Sequence, residues 1–368
     1  MIGYTPHRGD TNRPARYLGR LAVALLVFAG SRAAQASPMT LGQASSFDVF
    51  VFGNFTESGT DSQGAIAVGG NFAPANNGGF SIASQLSDPA GVYDLVVGGN
   101  FTNNGYSMGG GDAFVGGNMT WTDPSLPHNA YVDGNFTNSA SGGTVGGKVY
   151  YGGSSCTSGD PITCKSVAAP TNPIDFAGAQ TNLDSVSTNL AAQTANGTTS
   201  FDGYSTYTLT GTSSTLNVFN LTNSTYNGST INITAPSSST VVINVAGTSD
   251  SFSGGSINLT GVSASDVIFN FSAATSVSIA SIAWEGTLLA PMAGFSGTWG
   301  QLNGELIAES ASGTTEFHNV LFSGTLPAAL NVSSQNGGGA TPEPATWTML
   351  LGGGALFGLS RRRASSRR

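Results

Sequence analysis

Between Ser37 and Ser360 the chain contains no arginine, and Lys148 and Lys165 are its basic residues there. The same stretch holds nineteen acidic residues, which leaves it a net charge of −17. A surface of that sign repels phosphate backbones and anionic lipid and offers no basic patch, so nucleic-acid binding is excluded. Charge of either sign is scarce: 9% of the whole chain against about 25% in an ordinary soluble domain. Disordered chains pair low hydrophobicity with high charge, and this one, 39% hydrophobic, does the opposite. Helix formers such as Lys, Glu and Arg are nearly missing, whereas Thr, Val, Phe and Tyr abound among 52 glycines. Propensity therefore points to many short strands joined by turns. Only two cysteines occur, Cys156 and Cys164, eight positions apart in a Gly/Ser/Asp/Pro-rich stretch. No further His or Cys lies near them to complete a metal site, and in an oxidising compartment a small-loop disulfide is expected.

Long apolar runs are also missing, and the two short ones sit at the ends. Arg13, Arg16 and Arg20 precede the apolar run Leu21-Ala-Val-Ala-Leu-Leu-Val-Phe-Ala29, and Ala34-Gln-Ala36 follows before Ser37. This is the layout of a secretory signal peptide cut after Ala36, which implies passage through the Sec translocon and cleavage by signal peptidase. A lasting membrane anchor would need a longer run. At the other end, Pro342-Glu343-Pro344 precedes an apolar stretch at 345–359, followed by Arg361, Arg362 and Arg363. A short apolar helix closed by arginines is expected to pause in the inner membrane with its C-terminus in the cytoplasm. The motif, apolar stretch and arginine cluster together resemble the PEP-CTERM sorting signal. That resemblance implies a Gram-negative exopolysaccharide producer, handling by a membrane-embedded exosortase, and transfer to the cell surface or extracellular matrix.

Between the ends a phrase recurs. It reads Val51-Phe-Gly-Asn-Phe-Thr56, Val68-Gly-Gly-Asn-Phe-Ala73, Val97-Gly-Gly-Asn-Phe-Thr102, Val115-Gly-Gly-Asn-Met-Thr120 and Val132-Asp-Gly-Asn-Phe-Thr137. Its asparagines, Asn54, Asn71, Asn100, Asn118 and Asn135, are 17, 29, 18 and 17 residues apart. A step near 17 predicts the coils of a β-solenoid, with an insertion at 74–88 in the longer step. Val and Phe are expected inside. Gly-Gly is expected to turn a tight corner at positive φ, and Asn to tolerate the left-handed region while its amide pairs with the next coil. Ile174, Phe176, Leu183, Val186 and Leu190 recur at helical spacing, predicting one amphipathic helix over 172–195 packed alongside the solenoid. Strands are expected again at 206–209, 216–221, 231–234, 241–245, 257–260 and 267–271, with 287–291 and 304–308 as the last coils.

The opening Phe47-Asp-Val-Phe-Val-Phe-Gly-Asn-Phe55, the Gly-Gly-Asn-Phe phrases, Gly286-Thr-Leu-Leu-Ala-Pro291 and Leu302-Asn-Gly-Glu-Leu-Ile-Ala308 resemble the choice-of-anchor A family over about 46–322. The resemblance implies an adhesive or surface-matrix role and supplies no catalytic residues. The last two phrases also resemble the solenoid of microbial ice-binding proteins. The expected organisation is a signal peptide over 1–36, a mainly β solenoid domain over 37–325, a flexible linker over 326–340 and a sorting tail over 341–368.

Candidate chemistry is sparse. Gly105-Tyr-Ser-Met-Gly109 matches a nucleophile-elbow string but sits in a repeat with no helix predicted after it. Glu305 and Glu309 share strand parity, and Glu285 and Glu316 lie close in sequence. Paired carboxylates could hydrolyse glycosides, but solvent-facing charges are the expected reading. Asp94, Asp112, Asp123 and Asp133 could bind calcium at coil corners, although no calcium-loop consensus is present; no other cofactor is expected. Trp121, Trp284 and Trp299 are candidates either for the core or for stacking on sugars. The expected function is non-enzymatic adhesion to polysaccharide or a neighbouring cell surface. Ice binding is the alternative, expected if Thr-rich ladders form one regular face, and a glycan-active hydrolase is a third reading. The uneven strand spacing after Phe201 argues against such a face.

Overall fold

The computed structural model describes residues 37–159 and 161–330. They form a three-sided β-solenoid with one long helix, α1 (Phe176–Ala191), along one side. The expected signal peptide, sorting motif and arginine cluster lie outside the described residues. Among the described residues no helix is long and apolar enough to cross a membrane.

The coils do not stack in sequence order. Val49–Val51, the first long-range strand, sits mid-stack between Ile66–Val68 on one side and Leu306–Gly313 on the other. From that seam the chain winds outward through Tyr93–Val97, Asp112–Val115, Ala130–Val132 and Val149–Tyr151 to Cys164–Ser166 at one end. It then crosses back as α1 and winds inward from Leu216–Leu221 through Thr240–Val245, Val267–Asn270 and Thr287–Asn303. The coils at 287–291 and 304–308, expected to be terminal, are therefore central. Sequence position gave no sign of this, because a parallel strand pairs equally well with a neighbour two hundred residues away. One end is closed by the loop carrying the Cys156–Cys164 disulfide. The other is closed by Thr198–Phe201, which pairs antiparallel with Thr206–Thr210. Short or reversed end strands of this kind blunt edge-to-edge association.

The side under α1, the helix face, is buried on both surfaces of its strands. Ile66, Val68, Leu95 and Val97 point into the solenoid, while Phe50, Val96, Phe114, Val242, Ile268 and Leu289 point out against the helix. That double burial explains continuous apolar runs such as Val241–Ile243, as in sheets covered on both sides. Leu183, Val186 and Leu190 of α1 complete this layer. The helix is shorter than the expected 172–195 because Asp175 caps it, its carboxylate accepting the Gly178 N–H at 3.0 Å. Both ends of the described chain are held beside it: Asn182 Nδ2 donates to the Thr40 carbonyl and Leu330 N donates to Asn189 Oδ1.

The Gly-Gly-Asn phrases turn the corner from the helix face to the next side, with the asparagine amides pairing to the next coil as expected but without the expected positive φ. Neither the glycine pairs nor the phrase asparagines lie at positive φ. The glycines are required by close stacking instead. A Cβ on Gly98 would lie 2.5 Å from the Gly69 carbonyl oxygen, and one on Gly99 2.6 Å from Asn71 Oδ1. Each asparagine side chain accepts the backbone N–H of the next coil: Asn54 from Asn71, Asn71 from Asn100, Asn100 from Asn118 and Asn118 from Asn135, at 2.8–2.9 Å. Most of the expected insertion is also part of the stack. Phe80 and Ile82 are fully buried, and Ser81 and Ile82 bridge to neighbouring coils.

Candidate functional site

The second side, here the ladder face, begins after that corner. In each coil an inward aromatic or aliphatic residue is followed by an outward polar one, as in Phe101–Asn104 and Met119–Thr122. The inward residues form a continuous stack: Phe55 with Phe72 at 4.8 Å, Phe72 with Phe101 at 5.0 Å and Phe101 with Trp121 at 5.2 Å between ring centroids. Packing of that kind fixes the register of whatever points outward. Following the register from one end gives Thr157, Thr137, Thr120, Thr102, Ala73, Thr56, Ser312, Ser296, Ser278, Ser251 and Thr225 in one column. Ten of eleven consecutive rungs carry a hydroxyl, spaced ~4.8 Å apart as neighbouring strands are. The column crosses the seam between Thr56 and Ser312 without a break. Two residues along, Thr122 Oγ1 donates to Asn104 Oδ1 at 2.8 Å and lies 2.7 Å from Ser139 Oγ. The uneven strand spacing after Phe201 therefore does not disrupt this face; the extra residues fall at corners.

On the third side, Thr206–Thr210, Thr230–Thr234 and Ser256–Thr260 align Thr208, Asn232 and Asn258, with Asn258 Nδ2 donating to Asn232 Oδ1 at 2.9 Å. Nearer the seam this side carries Glu285, Asn303 and His318 in register. Asn303 Nδ2 donates to Glu285 Oε1 at 2.7 Å, His318 Nδ1 lies 2.5 Å from Asn303 Oδ1, and His318 Nε2 lies 3.2 Å from Glu316 Oε1. Burial raises the Glu285 carboxyl above the usual range, opposed by Asn303 and His318. Glu285 and Glu316 thus share one polar chain, whereas Glu305 and Glu309 do not form a pair. Glu305 is fully buried, not solvent-facing as expected. Its Oε1 accepts the Phe322 N–H at 2.8 Å.

Glu305 belongs to a set that sequence reasoning missed. Asp48, Glu57 and Glu305 flank the strands of the seam and are all fully buried. Asp48 accepts from Ser62 Oγ at 2.8 Å and Glu57 from the Thr315 N–H at 2.9 Å. Each keeps one oxygen without a partner among the described residues. Burial pushes all three carboxyls up to about 8, so they are protonated and uncharged at neutral pH. Only their place next to Val49 and Leu306 in three dimensions reveals this, because the two strands are far apart in sequence.

The other candidates separate. Ser107 forms an isolated β-bridge with Ser125, with Gly105 and Tyr106 at positive φ and no helix after it, so no nucleophile elbow forms. Asp94 and Asp112 are neighbours, but no group of three or more His, Cys, Asp or Glu among the described residues could hold a metal ion. Trp121 and Trp284 are fully buried, while Trp299 is 73% exposed. Cys156 and Cys164 are disulfide-bonded. Asn54, Asn71, Asn100 and Asn118 are the corner acceptors described above, and Ser37, the expected mature N-terminus, is exposed.

The described residues thus form stacked coils with polar outer faces and one helix alongside. The family model described as "Putative Ice-binding-like adhesive domain" matches residues 40–319, and the chain belongs to that family. The PEP-CTERM protein-sorting motif matches residues 340–364. The chain is therefore an exported, surface-sorted protein of the kind processed by exosortase. The family shown is this adhesive domain and not the choice-of-anchor A family expected from the sequence. Solved structures similar to it include an ice-binding protein from an Antarctic biological consortium (15% identity, 78% of this chain and 92% of that one, TM-score 0.31). Others are an ice-binding protein of Antarctomyces psychrotrophicus (16%, 78% and 99%, 0.31) and a domain of Shewanella frigidimarina ice-binding protein (14%, 77% and 97%, 0.31). No curated protein sequence matches the chain.

Proposed function

We propose that the chain is a non-enzymatic adhesin whose ladder face holds extracellular polysaccharide or the glycan surface of a neighbouring cell. The observation that carries this reading is the column of ten hydroxyls over eleven rungs, from Thr157 to Thr225. Hydroxyl and amide groups at a strand repeat suit many weak hydrogen bonds to a long hydrated ligand, and a fixed register lets them add. Leu330 lies beside α1 on the helix face, its N–H donating to Asn189 Oδ1. The finer steps belong to the same reading: Sec export, removal of residues 1–36 by signal peptidase, a transient stop in the inner membrane at Arg361, Arg362 and Arg363, and sorting through Pro342, Glu343 and Pro344. The choice-of-anchor A resemblance supports the same placement at the surface.

Ice is the second reading, favoured by the regularity of this column. Two measurements separate them. Saturable retention of the producing organism's exopolysaccharide or washed cells, without shortening of the glycan, supports adhesion. Thermal hysteresis or arrested ice recrystallisation with no glycan retention supports ice, and release of shorter glycan fragments would contradict the non-enzymatic assignment.

A further inference from the structure

The ridge between the ladder face and the third side is turned, coil after coil, by one residue in the left-handed region. In four coils it is glycine, Gly228 (φ 67°), Gly254 (57°), Gly59 (72°) and Gly105 (65°), and in the coil beside that of Trp299 it is Ser281 (51°). One coil places Trp299 there at φ 51°. A bulky residue is a genuine outlier in this region, and such strain persists where the surroundings or a function demand it. Packing is not the demand, because Trp299 is 73% exposed. Its backbone N–H donates to Thr314 Oγ1 at 3.3 Å, tying the corner to the adjacent coil. Beside the indole is a cleft of about 460 Å³ lined by Ser58, Thr60, Thr314 and Glu316. The Glu316 carboxylate is held by His318 at 3.2 Å.

A second aromatic stands on the same ridge. Tyr106 has φ 64° and is 50% exposed. Its ring lies across Gly79, where any Cβ would collide with it. The strand registers place the coils of Tyr106 and Trp299 four spacings apart, roughly 19 Å along the solenoid at ~4.8 Å each. Between them runs the ridge bearing Ser58, Gly59 and Thr60.

The geometry points to a saccharide subsite in which Trp299 stacks on a pyranose ring, Glu316, Ser58 and Thr60 bind its hydroxyls, and Tyr106 receives a later ring of the same chain. This deepens the adhesin reading and rests on it for the ligand class. Rigid aromatic faces supply large contact area at little entropic cost. The ligand is a neutral glycan, since the stretch from Ser37 to Ser360 carries −17, Glu316 faces the cleft, and no cation lines it; a polyuronate would meet repulsion.

The test uses the intact exported chain and two neutral probes, cellopentaose and laminaripentaose, with cellobiose as a short ligand and an alginate oligomer as an anionic one. Trp299 emission is isolated as the difference between the parent chain and W299F, since Trp121 and Trp284 are buried. A neutral pentaose should shield that emission from acrylamide, and the alginate oligomer should not. W299A should weaken pentaose binding at least tenfold, W299F by about threefold, and Y106A by about threefold for the pentaose but not for cellobiose. Melting of W299A should be unchanged or higher, because a strained aromatic is removed. Unchanged quenching at millimolar amounts of both pentaoses, or equal binding by W299A, overturns the subsite. If W299A has parental pentaose affinity and still retains whole exopolysaccharide, the subsite falls and the ladder reading stands. If pentaose binding needs Trp299 in a chain that retains no exopolysaccharide or cells, the subsite stands and the adhesin reading falls.

Discussion

In the half of the solenoid between residues 49 and 166, successive coils are joined at one corner by asparagine side chains that accept backbone N–H groups. In the half between 198 and 318, asparagines bond side chain to side chain on the strands: Asn258 to Asn232 outside, and Asn270 to Asn244 beneath α1 at 2.8 Å. The first device satisfies backbone groups at a turn, which otherwise would need water or a different turn geometry. It demands Gly immediately before Asn, because stacked backbones approach too closely there for a Cβ. The second places no demand on the corners, so their length is free to vary. One cross-section is thus reached by a rigid corner in one half and by matched strand faces in the other.

The largest disturbance should come where the halves meet. Phe55 is fully buried and packs against Phe72, Phe80 and, from the other half, Phe317. Phe55→Ala should cost about 3–5 kcal/mol, read as a lower urea midpoint. If only one half loosened while the other kept its midpoint, the halves would be independent units.

The seam also makes stability depend on pH. Asp48, Glu57 and Glu305 titrate near 8 when folded and near 4 when unfolded, so the folded state holds more protons between those values. Their stabilising effect is complete below about pH 4 and is lost as pH rises through about 8. The melting temperature should therefore be higher at pH 5 than at pH 8, and Asp48→Asn with Glu305→Gln should flatten that slope. A rising melting temperature over the same interval would contradict the burial of neutral acids.

Smaller effects contrast the two asparagine devices. Asn100→Ala leaves the Asn118 N–H without its acceptor at a tight corner and should cost about 1–2 kcal/mol. Asn258→Ala removes an exposed side-chain pair and should change stability by no more than about 0.5 kcal/mol. Equal losses would remove the distinction drawn above. Asp175→Ala, which uncaps α1, should fall between them at about 1 kcal/mol.

The same contrast governs what the sequence made legible. The corner device is written as a local phrase, so the solenoid and its 17-residue step could be read from Asn54, Asn71, Asn100, Asn118 and Asn135. Strands such as Leu216–Leu221 and Thr240–Val245 were legible from β-branched and apolar content, and α1 from the spacing of Leu183, Val186 and Leu190. The insertion of Val49–Val51 between Ile66–Val68 and Leu306–Gly313 was not, since nothing local in either strand names its partner. The buried acids and the hydroxyl column depend on that pairing and stayed hidden with it. Trp299 was visible as an aromatic, but its exposure follows from φ at one corner, which composition does not encode.

The central claim is that the ladder face, rather than the third side, meets the ligand. Thr102→Tyr and Thr120→Tyr would place bulk on adjacent rungs of the ladder, and Thr208→Tyr with Asn258→Tyr would do the same on the third side. Retention of the intact exported chain on the producing organism's exopolysaccharide should fall at least tenfold for the first pair and stay within twofold for the second. Equal retention by the ladder pair, or loss confined to the third-side pair, would contradict it.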